Sequence, residues 1–464
     1  MSDNEYDIVI IGSGPAGYVG GIRAAQLGLS ACVIEKDRPG GVCLNIGCIP
    51  SKALIHQAEL FSSIRDLEAI GVKVDASGLD YSKVFQKSRT AAETLSRGVS
   101  GLLKKNKVPL IQGEAKLSGK NEVTLSDGKT IRGKHIIIAT GSSPKAIPGF
   151  AIDEKTVLSS NGALMLEKLP KKILILGGGA IGCEFAHVLA AFGSEVVVVE
   201  MLDHLLPLED PETVAVLERS FKKRGIAVHT STKASGMKAA KRGAIVSIEG
   251  KDGKKSDLEV DLVLVVVGRG PNTTGIGLEA VGIATERGGF IPVGDYYETS
   301  VKGIYAVGDV TSSPLLAHVA SKEAEIAVEH IAGHATPKKI DASAIPGAVY
   351  TEPQLASFGL NEERAKRDNI KFEKAVFPYR GAGKSVAIEK SDGLVKVLYD
   401  PTTHEILGAH VVGADATELI HEILLAKTAE LLPEDIATMI HAHPTLSEAV
   451  MEAMRAAEGW AIHI

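Results

Sequence analysis

An α/β fold, made of two repeated parallel-sheet units and closed by a C-terminal α+β segment, is what the sequence predicts. Three observations carry it. Residues 6–36 and 172–200 share one plan of strand, glycine turn, helix and strand. The most apolar runs, residues 8–11, 173–176 and 262–267, are of strand length, and the first two feed straight into glycines. From about residue 342 the pattern changes to hairpins and helices with no glycine fingerprint.

At 464 residues, 45% hydrophobic and 23% charged, the chain exceeds one ordinary core and is expected to divide into several domains. Its 49 glycines point to many tight turns and close backbone approaches. A formal charge of -6 argues against a nucleic-acid partner, which calls for a concentrated basic surface. No run approaches the roughly 20 apolar residues of a membrane helix. The start, MSDNEYDIVIIGSG, enters a strand at once and lacks the pattern of a secretory signal. Four cysteines, Cys32, Cys43, Cys48 and Cys183, are too few for a disulfide scaffold. A cytoplasmic setting, or an equivalent reducing compartment such as an organelle matrix, is therefore expected. Cys32 lies in a strand run and Cys183 follows a glycine turn into a helix, so both read as small buried residues.

The first glycine turn places Gly12, Gly14 and Gly17 between the strand at 8–11 and a helix, and a second strand ends on Glu35. The second turn repeats this with Gly177, Gly179 and Gly182, ending on Glu200. In both copies 23 residues separate the first glycine from the carboxylate. A lone GxGxxG is weak, but two copies in strand–turn–helix context with the acidic residue in place define Rossmann-like dinucleotide sites. The first glycine permits the turn, the second lets a pyrophosphate approach and the third lets helix and strand pack. Phosphate charge meets the helix N-terminus, and Glu35 or Glu200 accepts from ribose hydroxyls. Glu200 repels a 2′-phosphate, and residues 201–204, MLDH, offer no arginine to hold one. NAD is therefore expected over NADP at the second turn.

Four segments follow: residues 1–147, 148–270, 271–341 and 342–464. The first includes an amphipathic long helix over Tyr81–Lys105, a hairpin around residues 126–128 and a strand through HIIIATG. The third holds GIYAVGDV, a strand ending in Gly308 and Asp309. The last has a hairpin in LVKVLYDPTTHEILGAHVV and two helices flanking ATMIHAHPTLSE.

Residues 40–52, GGVCLNIGCIPSK, set Cys43 and Cys48 five positions apart. The pair reads as a redox couple, a metal half-site or two inert thiols. No metal is expected, because no second Cys or His pair stands at a convincing distance. A pair inside regular helix fits a disulfide badly, since five residues rise about 7.5 Å and rotate the side chains roughly 140° apart. A pair straddling a helix start fits, with Cys43 in an irregular entry and Cys48 in an early turn, where the helix N-terminus favours a thiolate. Nicotinamide delivers a hydride, whereas a disulfide opens in thiolate steps, and a flavin couples the two. FAD in one turn and NAD in the other are therefore expected, in an order that these arguments leave open.

GGVCLNIGCIPSK, the paired fingerprints, GIYAVGDV and HAHPTLSE together resemble the flavin disulfide reductase family over residues 5–460. The resemblance implies FAD, bound tightly and without a covalent link, at the first turn and NAD⁺ as co-substrate at the second. Residues 271–341 would complete the FAD site and residues 342–464 would form the interface of a homodimer. It implies FAD contacts from Gly12, Gly14, Gly17, Glu35, Lys36, Lys52, Ala115, Thr140, Gly141, Gly308, Asp309 and Ala317. NAD contacts would come from Gly177, Gly179, Gly182, Glu200 and Gly268. Cys48 would be the thiolate beside the flavin, Cys43 the thiol that exchanges with substrate, and Lys52 would pair with Glu184. His443, oriented by Glu448 and supplied by the second subunit, would be the acid–base, with a cis bond before Pro444. His441 reads as structural.

The branch it resembles oxidises dihydrolipoamide carried by a lipoyl-bearing acyltransferase or a lipoyl carrier protein. A glutathione-type member would carry positive residues after the second fingerprint, a tyrosine where Ala180 stands and CVPKK where residues 48–52 read CIPSK. A mercury-reducing member would carry a C-terminal cysteine pair, and no cysteine follows Cys183. A catalytically silent nucleotide-binding scaffold would not require His443 with Glu448.

Overall fold

The computed structural model describes residues 4–464. Strand β1 (Glu5–Ile11) lies between the parallel neighbours β2 (Ala31–Glu35) and Thr130–Ile138. Leu110–Gln112 extends one side, and Ile304–Ala306 joins the other against Thr130–Ile138. The hairpin Ala115–Gly119 with Glu122–Leu125 continues the sheet antiparallel. Residues 8–11 are buried without alternation, as expected of a strand covered on both faces. Helix α1 (Pro15–Gln26) packs on Ala317–Ile331, while the predicted helix Tyr81–Lys105 is continuous and capped by the Asp80 carboxylate.

The second unit repeats the plan with five parallel strands in the order Ala227–His229, Glu195–Val199, Lys172–Leu176, Leu262–Val265, Val157–Leu158. A three-stranded antiparallel meander over 232–260 packs on it. Residues 271–341 hold no separate sheet among the described residues; their strand and helix complete the first unit. The C-terminal segment is a five-stranded antiparallel sheet covered by helices Ala416–Thr428, Pro433–Thr438 and Ser447–Ala457. Its central hairpin, Leu394–Tyr399 with Ile406–Gly413, is where the sequence places one.

One buried cation joins the second unit to this last sheet. Lys396 is 1% exposed, and its ammonium donates to Asp210 at 3.0 Å, Glu212 at 3.0 Å and Glu362 at 2.6 Å. Asp210 is fully buried and also caps helix Pro211–Lys223. Burial opposes the charge on Lys396, yet the bonds to Glu362 and Asp210 outweigh it and raise its pKa. Lys396→Met would leave Asp210 buried and unpaired, at a cost of about 3 kcal/mol. A drop in the apparent Tm is the expected readout, with an exposed lysine outside this cluster, Lys251→Met, as control.

Candidate active site

The two glycine turns are near copies down to single hydrogen bonds. Gly12 has φ 105° and Gly177 φ 111°, in a region that favours glycine. A Cβ on Gly12 would lie 2.3 Å from the Ala139 oxygen, and one on Gly177 2.6 Å from the Val266 oxygen. A Cβ on Gly17 or Gly182 would strike the carbonyl of the first glycine, at 1.8 and 2.0 Å. At Gly14 and Gly179 a Cβ would meet nothing within 4 Å. That open side is the room a pyrophosphate needs at the start of the helix.

Each terminal glutamate then clamps its own turn. Glu35 accepts from the Ser13 amide at 2.9 Å, the Ser13 hydroxyl at 2.6 Å and the Asp37 amide at 2.9 Å. Glu200 accepts from the Gly178 amide at 2.7 Å and the Leu202 amide at 2.9 Å. A carboxylate offers about four acceptor sites, so about one remains on Glu35 and two on Glu200 for ribose hydroxyls.

A cavity of about 1530 Å³ runs along the first turn. Gly12, Gly14, Glu35 and Lys36 line it at one end, and Ala115, Thr140 and Gly141 follow. Gly308, Asp309 and Ala317 close it from the third segment, while Cys43, Cys48, Lys52 and Glu184 form its reactive wall. Gly17 supports the turn from behind. Gly177, Gly179, Gly182 and Glu200 form the separate second turn, whose helix reaches the cavity through Ala180, Ile181 and Glu184. Gly268, at φ 123°, accepts from the Lys145 amide and stands outside the cavity lining. The cavity's volume, the open side of Gly14 and the spare acceptor on Glu35 fit a flavin dinucleotide.

The cysteine pair differs in detail from the sequence expectation. Cys43 is not in an irregular entry but within a short helix, α2 (Gly41–Ile46), and Cys48 is the first residue of α3 (Cys48–Ser62). Gly47, at φ -150° and ψ -118°, breaks the two helices apart, and a Cβ there would lie 2.8 Å from the Val42 oxygen. This break removes the 140° divergence that a continuous helix would impose. Both cysteines are free thiols, joined by a sulfur–sulfur hydrogen bond. Cys48 is exposed and lines the cavity, while Cys43 is half-buried beside it.

Donation from Cys43 lowers the Cys48 pKa; burial opposes this, and Lys52, one turn along the same helix, supports it. The same bond, with burial, holds Cys43 protonated. Of the two, Cys48 is therefore the more readily ionised and Cys43 the more firmly protonated. Cys32 and Cys183 are fully buried, as the sequence predicts.

Lys52 donates to both Glu184 oxygens, at 2.9 and 2.8 Å, and its ammonium lies 4.4 Å from the centre of the Tyr350 ring. Three neighbours escaped the sequence reading. Arg269 donates to the Ser142 hydroxyl at 2.8 Å, and that hydroxyl donates to Asp309 at 2.5 Å. Buried Glu323 accepts from the Gly308 amide at 2.6 Å and so sets the turn that presents Asp309. The phrase VVVGRGPN was the signal for Arg269, but only the antiparallel pairing of Arg269–Pro271 with Ser142–Pro144 aims it.

His443 and Glu448 lie apart from this cavity in the same chain. His443 Nδ1 is 2.9 Å from Glu448, whose other oxygen accepts from the Thr445 amide at 2.8 Å. Burial would raise the Glu448 pKa, but the Thr445 amide and His443 outweigh it and hold the carboxylate ionised. The bond before Pro444 is cis. The His443 ring is 76% exposed, so its other nitrogen faces outward.

Two dinucleotide turns, a flavin-sized cavity and a polarised thiol pair in its wall define a flavin-dependent disulfide oxidoreductase that works with a pyridine nucleotide. Similarity agrees with the geometry. The chain belongs to the pyridine nucleotide-disulphide oxidoreductase family, whose model matches residues 6–324, and residues 345–454 match that family's dimerisation domain. It is 42% identical to the dihydrolipoyl dehydrogenase of Bacillus subtilis, covering 99% of each chain. It is also 42% identical to mitochondrial dihydrolipoyl dehydrogenase 2 of Arabidopsis thaliana, over 99% of this chain and 92% of that one. Among solved structures, LpdA from Mycobacterium tuberculosis superposes with a TM-score of 0.89 at 29% identity, covering 98% and 99% of the two chains.

The hydrogen bond between the thiols makes a testable claim about ionisation. In the reduced protein, Cys43→Ala removes the donor, and the alkylation of Cys48 by iodoacetamide should shift to higher pH. Cys43→Ser keeps a donor and should stay near the lower range. Identical pH profiles for the two variants would show that Cys43 does not set the ionisation of Cys48.

Proposed function

We propose that this chain oxidises dihydrolipoyl groups to lipoyl groups and reduces NAD⁺ to NADH. The observation that carries the reading is the polarised Cys43–Cys48 pair in the wall of a flavin-sized cavity, beside a second turn suited to NAD. Near 42% identity over the whole chain to dihydrolipoyl dehydrogenases supplies the substrate class.

In the oxidised protein the two cysteines form a disulfide. His443, its ring aligned by Glu448, takes the proton from one substrate thiol. The substrate thiolate attacks Cys43 Sγ and breaks the Cys43–Cys48 bond, and the electron pair leaves on Cys48. Lys52 and the start of helix α3 stabilise that thiolate. The second substrate thiol loses its proton and attacks the substrate sulfur bound to Cys43. The lipoyl ring closes, Cys43 leaves and takes the first proton from His443, and the proton of the second thiol passes to His443 in its place. The substrate has then lost two protons and two electrons. FAD, when bound, accepts an electron pair from a neighbouring thiolate and supplies a hydride to NAD⁺. Gly12, Gly14, Glu35, Asp309 and the amide at Ala317 would hold it, and Lys52 with Glu184 would stand at its reactive end.

His443 would act on the cysteines of a second chain, because its own cavity does not include it and the dimerisation domain is present. The working form in this reading is a homodimer. Its macromolecular partner would be a lipoyl-bearing acyltransferase or a lipoyl carrier protein, whose swinging arm presents the dithiol. A reducing compartment, cytoplasm or organelle matrix, is supported by the two further cysteines standing as unpaired buried thiols. A glutathione-type activity is disfavoured by the absence of any positive residue in 201–203 and by Ala180.

The test is NAD⁺ reduction by the purified holoenzyme with dihydrolipoamide, against glutathione as control. NAD⁺ should give the higher kcat/KM than NADP⁺. His443→Gln should slow reduction of the enzyme by dihydrolipoamide about a hundredfold while leaving flavin content intact. Full lipoamide turnover in that variant would remove His443 from the mechanism.

A further inference from the structure

We propose that His441, held by Glu422, is a positioning residue for the His443–Glu448 pair; the inference rests on the acid–base reading of that pair given above. The two histidines are two residues apart on a loop that carries no helix or strand, residues 439–446. They face opposite ways. The His441 side chain is 3% exposed and that of His443 is 76% exposed.

His441 is held at both ring nitrogens. Nδ1 lies 3.2 Å from the Met439 carbonyl and Nε2 lies 2.8 Å from Glu422 Oε1. Each ring nitrogen thus has an oxygen partner, one on the loop's own backbone and one on Glu422, and the plane of the ring is fixed between them. Glu422 belongs to helix Ala416–Thr428, which is anchored through Ile420, Ile423 and Ala426 in the C-terminal core. The other side-chain bonds of the loop stay within it or reach the start of the next helix: Thr445 to the Ala442 carbonyl at 2.8 Å, and His443 and the Thr445 amide to Glu448. Among the described residues, His441 to Glu422 is thus the side-chain bond that carries the loop onto that helix.

The consequence is geometric. The imidazole of His443 projects from one side of this loop and must come within hydrogen-bond reach of a thiol. Glu448 fixes the ring's rotation from its own helix, and His441 fixes the backbone from which the ring projects. His441 also adds to the influences that keep Glu448 ionised. An ångström of drift in the loop is enough to cost one to two orders of magnitude in a positioned proton transfer.

The experiment uses the FAD-loaded dimer in single turnover, reading reduction by dihydrolipoamide and, separately, reduction by NADH. His441→Gln should slow the dihydrolipoamide reaction about tenfold and leave the NADH reaction within about twofold. Glu422→Gln, which keeps the shape but not the charge, should move in the same direction. In a Glu448→Gln background the effect of His441→Gln should shrink below about twofold, because the two residues act through one imidazole. An undiminished effect in that background, or equal slowing of both half-reactions, would mark His441 as merely structural and overturn the proposal. So would an unchanged dihydrolipoamide reaction. If His441→Gln loses flavin or dimer, Glu422→Gln and Glu422→Ala on the half-buried helix face are judged by the same criteria. Should His443→Gln itself leave the dihydrolipoamide reaction intact, the acid–base reading fails; if only His441→Gln does so, this inference fails alone.

Discussion

One carboxylate holds three parts of the chain together. Glu184, on the fingerprint helix of the second unit, receives both bonds from Lys52 of the first unit and a third from the Tyr350 amide, at 3.2 Å, at the edge of the C-terminal segment. Lys52 sits one turn beyond Cys48, so the contact that docks the units also fixes a positive charge beside the thiolate. Glu184 is 7% exposed, and a carboxylate this buried is tolerated only because its oxygens are met by donors. Removing either partner would strand the other, and the redox pair would lose both its neighbour charge and its alignment with the second turn.

The glycine turns show how one local device serves two nucleotides. Steric demand at the first and third glycines is the same in both, and open space at the second is the same. The difference lies in the residue after the first glycine. Ser13 is fully buried, and its hydroxyl takes up an acceptor site on Glu35, whereas Gly178 leaves that site on Glu200 free. A Cβ at Gly178 would lie 2.6 Å from Leu205 Cδ2, so the second turn has no room for a serine. The first glutamate is thus more fully committed to its own turn, and the second keeps more acceptor capacity for ribose hydroxyls.

What the sequence made legible was local. Strand–turn–helix order, the long helix at 81–105, the hairpins and the burial of Cys32 and Cys183 depend on neighbours within a few tens of residues. The cysteine pair was legible as a couple near a helix start. It was not legible as two helices parted at Gly47, because nothing in the local pattern of residues 41–62 announces the backbone turn that Gly47 makes there. Arg269 reaching Ser142 and Asp309, Lys396 among three carboxylates and His441 against Glu422 were hidden for a common reason. Each joins residues 19 to 186 positions apart. No periodicity encodes such a partner, and a buried lysine in a strand reads as an exposed one until its sheet is assembled. The His443–Glu448 pair, proposed above as the acid–base, stood out through its motif and not through any pattern of burial.

The separation of His443 from the cysteine cavity also has a physical logic. Thiolate chemistry at Cys48 gains from a packed, low-dielectric wall with one fixed cation, where a nearby charge acts strongly. A proton acceptor has the opposite requirement, since it must exchange with solvent in every cycle. Placing the thiols in the cavity wall of one unit and the imidazole on an exposed loop of another satisfies both. In the reading proposed above it also makes thiol exchange conditional on assembly, since His443 and Glu448 are not among the residues that line the cysteine cavity of their own chain. The loop that carries the base then bears the whole burden of aiming it, which is why its attachment to a core helix matters as much as the base itself.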